Sequence, residues 1–449
     1  MSGLPKGWAK CRLSDISEIV TGKTPSKKLE ANFGGEIPFI KPGDVTNQGV
    51  IIDTDESLSE LGATTVPTIP AGSITVTCIG NLGRTAITKC LSATNQQINS
   101  VVPEKDIDTK YLYYYLQTMK VWMEAASSST TVAIINKTRF SAAPIILAPL
   151  NEQIRIANKL DSILAKVDKA QARLDKIPAI LKRFRQSVLA AATSGELNGP
   201  NVTSDDWTSV KLMDVVETKP RNGKSPKGVD FDTGVKNLTL SAITPGYFVE
   251  NKFKFVDLDV PSDSHLWVKN QDILIQRANS IEYVGVSALY EGEDDQYIYP
   301  DLIMKCRANE RILSKYLYYA LSSEPVRKYF RDNATGTTGN MPKINQTVVS
   351  AAPISLPPLA EQEDIVSLVE KLFRKADTVE KQYLDAKARL DRLTQSILAK
   401  AFRGELVPQD PTDEPAEKLL ERIWAEKEQS KPKKTTRKST TKAKTAEKE

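Results

Sequence analysis

The sequence predicts an α+β fold made of two pseudo-repeated mixed α/β domains joined by two long helices that form a coiled coil. Three observations support this prediction: the chain repeats itself, each repeat ends in a long heptad pattern, and strand-like runs precede each pattern. The predicted segments are 1–150 and 199–358 for the two domains, 151–198 and 359–406 for the two helices, 407–430 for a short C-terminal segment and 431–449 for a basic tail.

The internal repeat is ordered and collinear over both halves. The matched segments are Trp8 with Trp207, Gly22-Lys23-Thr24-Pro25 with Gly223-Lys224-Ser225-Pro226, Lys110-Tyr111-Leu112-Tyr113-Tyr114 with Lys315-Tyr316-Leu317-Tyr318-Tyr319, and Glu152-Gln153 with Glu361-Gln362. The separation is 199 residues at the tryptophans and settles at 209 towards the end of each half. A single duplication accounts for all of these matches.

A long charged segment without glycine follows Pro149 and, again, Pro358. The apolar positions of the first segment step alternately by four and three: Ile156, Leu160, Ile163, Val167, Ala170, Leu174, Ile177, Leu181, Phe184, Val188 and Ala191. Adding 209 gives a second seam in the same register. This spacing predicts two helices of about 60 Å that end near Gly195 and Gly404 and pair with each other. Pro178 lies inside the first helix, so we expect a kink or a break there.

The segments before the helices combine strand and helix patterns. Strand-like runs occur at 73–77 and 272–276, bounded by turn-forming residues. The tyrosine-rich segments have the spacing of short amphipathic helices. Their tyrosines could stack on nucleic-acid bases, but this spacing favours a core face.

Composition and charge place the chain among globular proteins of ordinary hydrophobicity. Of its 449 residues, 40% are hydrophobic and 26% are charged, and the net charge is +5. The tail from Lys431 carries +6 of this, which leaves −1 for the rest, so nucleic acid would have to bind through local basic patches. The tail is predicted to be disordered. No stretch has the length and apolarity of a signal peptide or a membrane span, so we expect a cytoplasmic protein.

Residue patterns that carry catalysis or bind metal are missing. The four cysteines are far apart, and His265 is the single histidine, which argues against zinc sites and paired-histidine metal sites. The two Gly-Lys-Thr/Ser segments lack the first glycine of a phosphate-binding loop, and no dinucleotide fingerprint occurs. Neither an amino-methyl transfer motif nor a nuclease carboxylate cluster is found. We therefore expect a chain without catalytic activity, metal or cofactor of its own.

Several motifs resemble the specificity subunit of Type I restriction-modification systems, most closely the enterobacterial IA group. They are the Gly7-Trp8 opening, the Pro-Leu-x-Glu-Gln signatures that begin at Pro149 and Pro358, the run from Ile180 to Gln186, and the run from Ser396 to Leu406. The resemblance extends over nearly the whole chain apart from the tail.

The resemblance implies two target recognition domains at the ends of an antiparallel helical pair, each reading one half of a split site in double-stranded DNA. It also implies two modification subunits, which methylate adenine with S-adenosylmethionine, and restriction subunits that use ATP and Mg²⁺. These cofactors are expected on the partner subunits. Two alternatives remain open: an assembly scaffold whose domains bind protein, and a sequence-specific DNA-binding protein without enzymatic partners.

Candidate DNA contacts follow from side-chain chemistry, because Arg, Lys, Asn and Gln suit base edges whereas Lys, Ser and Thr suit phosphates. The candidates in the first domain are Lys23, Thr24, Lys27, Lys28, Asn81, Arg84, Asn136 and Lys137. Those in the second are Arg221, Asn222, Lys224, Lys227, Gln276, Arg277, Asn279, Asn345 and Gln346. The lysine loops recur in both halves and so favour phosphate. The segment 276–279 favours base reading, because its counterpart at 77–80 differs in chemistry.

Overall fold

The chain folds into two compact units in a computed structural model that describes residues 3–46, 49–128, 132–198, 207–336 and 341–429. The first unit combines Met1–Ala172 with Lys387–Glu449, and the second is Arg173–Ala386. Each unit therefore contains one mixed α/β domain and parts of both long helical segments. The tail that was predicted to be disordered, 431–449, lies outside the described residues.

The first half of the chain contains eleven described strands, which are β1 Ala9–Arg12, β2 Ser17–Thr21, β3 Phe33–Ile40, β4 Val50–Ile51, β5 Ser57–Leu58, β6 Thr68–Ile69, β7 Ile74–Thr77, β8 Thr85–Thr88, β9 Ser92–Thr94, β10 Ile98–Pro103 and β11 Pro144–Leu147. Its described helices are α1 Leu13–Ile16, α2 Glu60–Thr64, α3 Thr109–Gln117, α4 Lys120–Ala125, α5 Lys137–Ser141 and α6 Leu150–Leu174.

The strands of the first unit form three sheets, with the orders β2-β10-β7-β8-β4, β5-β3-β9-β6 and β1-β11. Strands β3 and β9 pair in parallel, as do β4 and β8, and the other pairs are antiparallel. The strand predicted at 73–77 is confirmed as β7. The tyrosines of α3 belong to the core, as the spacing favoured: Tyr111 is fully buried and its ring lies 5.4 Å from that of Phe402.

The described elements of the second half are, in chain order, α7 Ile177–Ser194, β12 Thr208–Lys211, β13 Arg221–Asn222, β14 Gly228–Val229, β15 Lys236–Leu238, β16 Phe253–Val256, β17 Ile273–Gln276, β18 Ser287–Leu289, β19 Ile303–Cys306, α8 Ser314–Ser322, α9 Glu324–Asp332, α10 Gln346–Ser350, β20 Pro353–Leu356, α11 Leu359–Ala401 and α12 Ala416–Gln429. The sheets of the second unit have the orders β13-β19-β17-β18, β14-β16-β15 and β12-β20. Their pairings are antiparallel, and β17 confirms the strand predicted at 272–276.

The first long helix is broken next to Pro178, as its sequence predicted. Helix α6 ends at Leu174, two turn residues follow, and α7 starts with Pro178 in its first turn, where the missing backbone N–H costs nothing. Helix α7 ends at Gly195, whose φ of 85° is the left-handed conformation that glycine adopts most easily. Helix α11, by contrast, is continuous over 43 residues.

Apolar seams of the long helices meet inside each unit. In the first unit, Ile156 of α6 shares a core with Ile397 near the end of α11. In the second, Val188 near the end of α7 shares a core with Ile365 near the start of α11. Opposite ends of the two helical segments are therefore paired, which is the antiparallel arrangement that the resemblance implied.

The two units share equivalent hydrogen bonds as well as similar sequences. The indole Nε1 of Trp8 donates to the Glu152 carboxylate over 3.0 Å, and Trp207 donates to Glu361 over the same distance. The side-chain oxygen of Gln153 accepts from the backbone of the first domain over 3.0 Å, and that of Gln362 does so in the second over 2.8 Å. Each domain is thus fastened to the start of its long helix in the same way.

The segment predicted as 407–430 folds onto the first unit. The backbone N–H of Ala416 donates to the Gly7 carbonyl over 2.8 Å, and Asp413 forms an ion pair with Arg155 at 2.6 Å. Helix α12 contributes Leu420, which is 3% exposed, to the core of that unit. Among the described residues, no helix is long and apolar enough to cross a membrane.

Candidate nucleic-acid interface

Four segments of the second unit come together on one face: 221–225, 276–279, 299–302 and 342–346. They are held by backbone hydrogen bonds from Lys224 to Tyr299 (3.0 Å), from Arg277 to Leu302 (2.8 Å) and from Ile344 to the Arg277 carbonyl (2.9 Å). Residues far apart in the sequence therefore form one surface. Most of the candidate DNA contacts of this domain lie in these segments.

The first unit repeats this arrangement with its own residues. The corresponding backbone bonds run from Lys23 to Thr94 (2.9 Å), from Cys78 to Gln97 (2.8 Å) and from Ile135 to the Cys78 carbonyl (3.0 Å). We call the two surfaces the reading faces. Because these bonds join backbone atoms, the side chains of the two reading faces can differ without loss of the scaffold.

The repeated glycine before each lysine has a structural reason. A Cβ on Gly22 would lie 2.2 Å from the Asn95 carbonyl oxygen, and one on Gly223 would lie 1.8 Å from that of Tyr299. Only glycine permits this close approach of two backbone segments. The lysines that follow, Lys23 and Lys224, are exposed, so the loops present a cation to solvent.

The residue after these lysines is a hydroxyl in both loops, and each hydroxyl is already bonded. Thr24 Oγ1 donates to Gln96 Oε1 over 2.7 Å. Ser225 Oγ donates to the Asp301 carboxylate, and the backbone N–H of Asp301 donates back to it over 3.1 Å. These side chains therefore fix the loops on their reading faces.

Arg277 is half-buried at the end of β17 and is weakly held. Its Nη1 lies 3.5 Å from the Asp301 carbonyl oxygen, at the outer limit of a hydrogen bond, and its buried Nε has no acceptor. At the equivalent position of the first unit stands Cys78, which is 3% exposed and whose thiol pKa is raised to about 11 by burial. The two reading faces thus differ at a shared backbone position.

Most of the other candidates lie at the surface. Those exposed are Lys27, Lys28, Asn81, Lys137, Arg221, Asn222 and Lys227. Arg84 is half-buried, and its Nη1 donates to the Pro42 carbonyl over 3.2 Å. All of these side chains present positive charge or amide groups to solvent near the two reading faces or on the loops that lead to them.

Gln276 is a wrong prediction. Its side chain has no solvent exposure, and its Nε2 donates to Thr244 Oγ1 over 2.9 Å. In this conformation the amide is not available to a base edge. Its polar character serves a buried hydrogen bond, because an unpaired amide would be costly in the core.

The matched asparagines have a structural role that the sequence reasoning did not give them. Asn136 caps α5 by accepting from the backbone N–H of Arg139 over 2.9 Å, and Asn345 caps α10 by accepting from that of Val348 over 2.8 Å. Capping explains their repetition. Both are exposed and stay candidates for DNA contact.

Two further candidates of the second domain are anchored by their own neighbours. Gln346 Nε2 donates to the Pro220 carbonyl, which ties α10 to the start of the lysine loop. The side-chain oxygen of Asn279 accepts from the backbone N–H of Ser280 over 2.7 Å. Both side chains are half-buried on the second reading face, where they are oriented by these bonds.

His265 is a neighbour of the second reading face that sequence reasoning did not place there. It lies in a turn, and its pKa is lowered by partial burial and by the charge of nearby Arg221, with smaller effects of Lys305 and Lys224. Three basic side chains therefore lie near this imidazole, one of which, Lys305, is itself paired with Asp272 at 3.0 Å. No local sequence signal relates His265 to a loop some 40 residues earlier.

The duplicated domains and the paired helices are those of a class of DNA specificity proteins. The chain belongs to the family of the Type I restriction modification DNA specificity domain, because the model of that family matches residues 5–179 and again 204–386. It is 32% identical to the EcoKI specificity subunit of Escherichia coli strain K12, over 97% of this chain and 98% of that protein. It is 33% identical to the StySPI specificity subunit of Salmonella potsdam, again over 97% and 98%. The predicted family is confirmed.

Solved structures share the fold. A chain from a study of complex assembly and conformational transition of the type I R-M system matches with a TM-score of 0.71 at 18% identity, over 90% of this chain and 100% of that one. The HsdS subunit from Thermoanaerobacter tengcongensis matches with a TM-score of 0.54 at 17% identity, over 90% and 98%.

Proposed function

We propose that this chain is the sequence-specificity subunit of a Type I restriction-modification complex and reads a bipartite DNA target, one half-site per reading face. The observation that carries the proposal is the pair of reading faces, which repeat the same backbone bonds but place Cys78 in one and Arg277 in the other. Equal scaffolds orient the domains alike on DNA, and unlike side chains select unlike half-sites.

Different residues of a reading face serve different parts of the duplex. The exposed Lys23 and Lys224 contact phosphates, because they recur in both domains and carry no sequence information. Arg277 reads a base edge in the major groove, because a guanidinium presents two parallel donors that match guanine. The exposed amides of Asn81 and Asn222 are further base contacts.

We further propose that the chain is not itself an enzyme and acts with two modification subunits and with restriction subunits. Neither half carries a motif for S-adenosylmethionine, ATP or a catalytic carboxylate cluster, so methylation and cleavage belong to the partners. The relatives named as specificity subunits of Type I restriction enzymes support this division of labour. The two target recognition domains are 1–150 and 199–358, and the helical segments between and after them set the distance between half-sites.

Methylation mapping of single genomic DNA molecules tests the proposal. Cells that contain this gene should methylate adenine at one bipartite motif, and deletion of the gene alone should remove that methylation. Restoring the wild-type gene should restore it. An unchanged methylation pattern after deletion would contradict the specificity role. DNA binding without any effect on methylation would favour the protein without enzymatic partners, and failure to bind DNA would favour the scaffold.

A further inference from the structure

Asp301 is the one acidic residue in the four segments of the second reading face, which otherwise carry basic and amide side chains. It is half-buried, and its Oδ1 accepts a hydrogen bond from the Ser225 hydroxyl. Its backbone carbonyl lies 3.5 Å from Nη1 of Arg277, the proposed base-reading residue. A negative charge is therefore placed in the middle of a surface that is proposed to meet DNA.

Gln96 occupies the equivalent position of the first reading face. The backbone bonds that hold the two faces end at residues 94 and 97 in the first unit and at 299 and 302 in the second, with an offset of 205 in both cases. The same offset relates Gln96 to Asp301. Thr24 Oγ1 donates to Gln96 Oε1 over 2.7 Å, as Ser225 donates to Asp301. Both side chains therefore hold the lysine loop of their own unit.

Holding the loop does not require the charge of Asp301, because the neutral amide of Gln96 accepts the same hydrogen bond. An ion pair does not explain the charge either: Asp301 forms none with the described residues, although Arg277 and the exposed Lys224 lie on the same face. The second carboxylate oxygen, Oδ2, is not buried and has no partner among the described residues. This charged acceptor is thus open on the second reading face.

We propose that Asp301 is a specificity-determining residue that accepts a hydrogen bond from the exocyclic amino group of a base in the major groove. An ionised carboxylate can only accept, so it suits the amino groups of cytosine and adenine and disfavours the keto oxygens of guanine and thymine. Phosphates repel it as well, so a contact with the DNA backbone is disfavoured. The proposal rests on the proposed function, because DNA on the reading face is what brings a base to this oxygen.

The first reading face presents the opposite chemistry at this position. Gln96 is exposed, and Thr24 occupies its Oε1, whereas its Nε2 has no partner among the described residues. Nε2 is a donor, which suits the O6 of guanine or the O4 of thymine. The two half-sites should therefore differ here, with a keto base in the first and an amino base in the second.

Binding of DNA duplexes by the complex of the full chain with its modification subunits tests this assignment, with each base pair of the site varied in turn. One position of the second half-site should prefer cytosine or adenine over the keto bases by about tenfold. Asp301→Asn still accepts from Ser225 but adds an amide donor, so this preference should disappear at that position alone. Asp259→Asn, which removes an exposed carboxylate outside the four segments, should bind as the wild type does.

Base analogues identify which amino group is recognised. Purine in place of adenine, or 2-pyrimidinone in place of cytosine, removes the amino group and keeps the ring. The analogue of the recognised base should weaken binding by the wild type about tenfold and should not weaken binding by Asp301→Asn. An equal loss in both proteins would overturn the proposal.

Ser225→Ala separates base reading from a role in the loop alone. It removes the hydroxyl that holds the loop but keeps the carboxylate, so the amino preference should remain even if affinity falls. The same loss of preference in Ser225→Ala as in Asp301→Asn would overturn the proposal, as would an unchanged preference in Asp301→Asn.

Gln96→Glu is an independent variant in the other unit. It should shift the first half-site from a keto base to an amino base, and a retained keto preference would contradict the assignment. If the wild-type complex binds all DNA sequences equally, the proposed function itself fails. If it is selective and Asp301→Asn keeps the same selectivity, only the role of Asp301 fails.

Discussion

Replacing Arg277 with alanine should weaken binding to DNA and relax selectivity in one half-site only. If Arg277 forms a bidentate contact with a base, its loss should cost about 1–3 kcal/mol, or roughly a 5- to 150-fold increase in Kd. The other half-site, read by the domain that contains Cys78, should keep its full selectivity.

The structure indicates that little folding stability is lost with this side chain. Its only hydrogen bond within the described residues is the 3.5 Å contact with Asp301, and its buried Nε has no acceptor. A weak hydrogen bond to a neutral acceptor contributes at most about 1 kcal/mol to the free energy of unfolding. The substitution also removes the buried Nε that lacks an acceptor, and this gain offsets part of the loss. A loss of DNA binding in Arg277→Ala would therefore be separable from unfolding.

Fluorescence anisotropy with the reconstituted modification complex measures this effect. Each base pair of the bipartite site is varied in turn, and the affinities of wild type, Arg277→Ala and Arg277→Lys are compared at several salt concentrations. The lysine variant keeps the charge but not the paired donors, so it should keep the salt dependence and lose the selectivity. Lys224 is exposed, and its replacement by alanine should weaken binding to all DNA sequences equally. It should also lower the slope of log affinity against log salt concentration by about 1.

A loss that is equal for all sequences in Arg277→Ala would assign this residue to phosphate and refute the reasoning. Recovery of selectivity in Arg277→Lys would refute the bidentate geometry. Urea unfolding of each variant provides the control for stability.

Three further predictions concern activity and stability. The purified chain alone should transfer no labelled methyl group from S-adenosylmethionine to DNA, and transfer by rigorously isolated protein would contradict its non-catalytic role. Leu420→Ala, which opens a cavity where α12 enters the first core, should lower the free energy of unfolding by about 2–5 kcal/mol, whereas Leu384→Ala at a 58% exposed position should change it little, as urea unfolding would reveal. Burial raises the pKa of Glu152 although Trp8 donates to it, so the folded state binds the proton more tightly. Its contribution to stability is therefore present below the ordinary carboxyl pKa and is lost as the pH rises through the raised value. The melting temperature should fall less between pH 4 and pH 8 in Glu152→Gln than in wild type, and an equal fall would refute this.

The periodic and repeated features of the fold could be predicted from the sequence. The heptad seams were detectable because a long helix repeats one contact pattern many times, and Pro178 marked the break because its ring cannot occupy a helix interior. The role of α12 was not predicted. Its amphipathic pattern indicates that one face is buried, but only the structure shows that Ala416 donates a hydrogen bond to Gly7 and that the helix packs on the first unit.

The candidate site was predicted in part. The lysine loops and Arg277 could be predicted because the internal repeat and the end of a strand are local sequence signals. The structure places them on the reading faces. Gln276 was misassigned because alternation along a strand does not reveal whether a distant turn, here Thr244, supplies a buried partner. The asparagine caps carried a detectable signal, an asparagine directly before a short helix, but the same residue type also suits base recognition.

The backbone bonds of the reading faces bear on how such a protein can evolve. Cys78 and Arg277 occupy one position of a shared frame, and the bonds that hold this frame use main-chain atoms that every residue except proline possesses. Selection can therefore change the side chain at this position while the frame persists. A domain exchanged by recombination would bring its own recognised half-site into a chain whose helices and partners are unaltered, so that new target sites can arise in one genetic event.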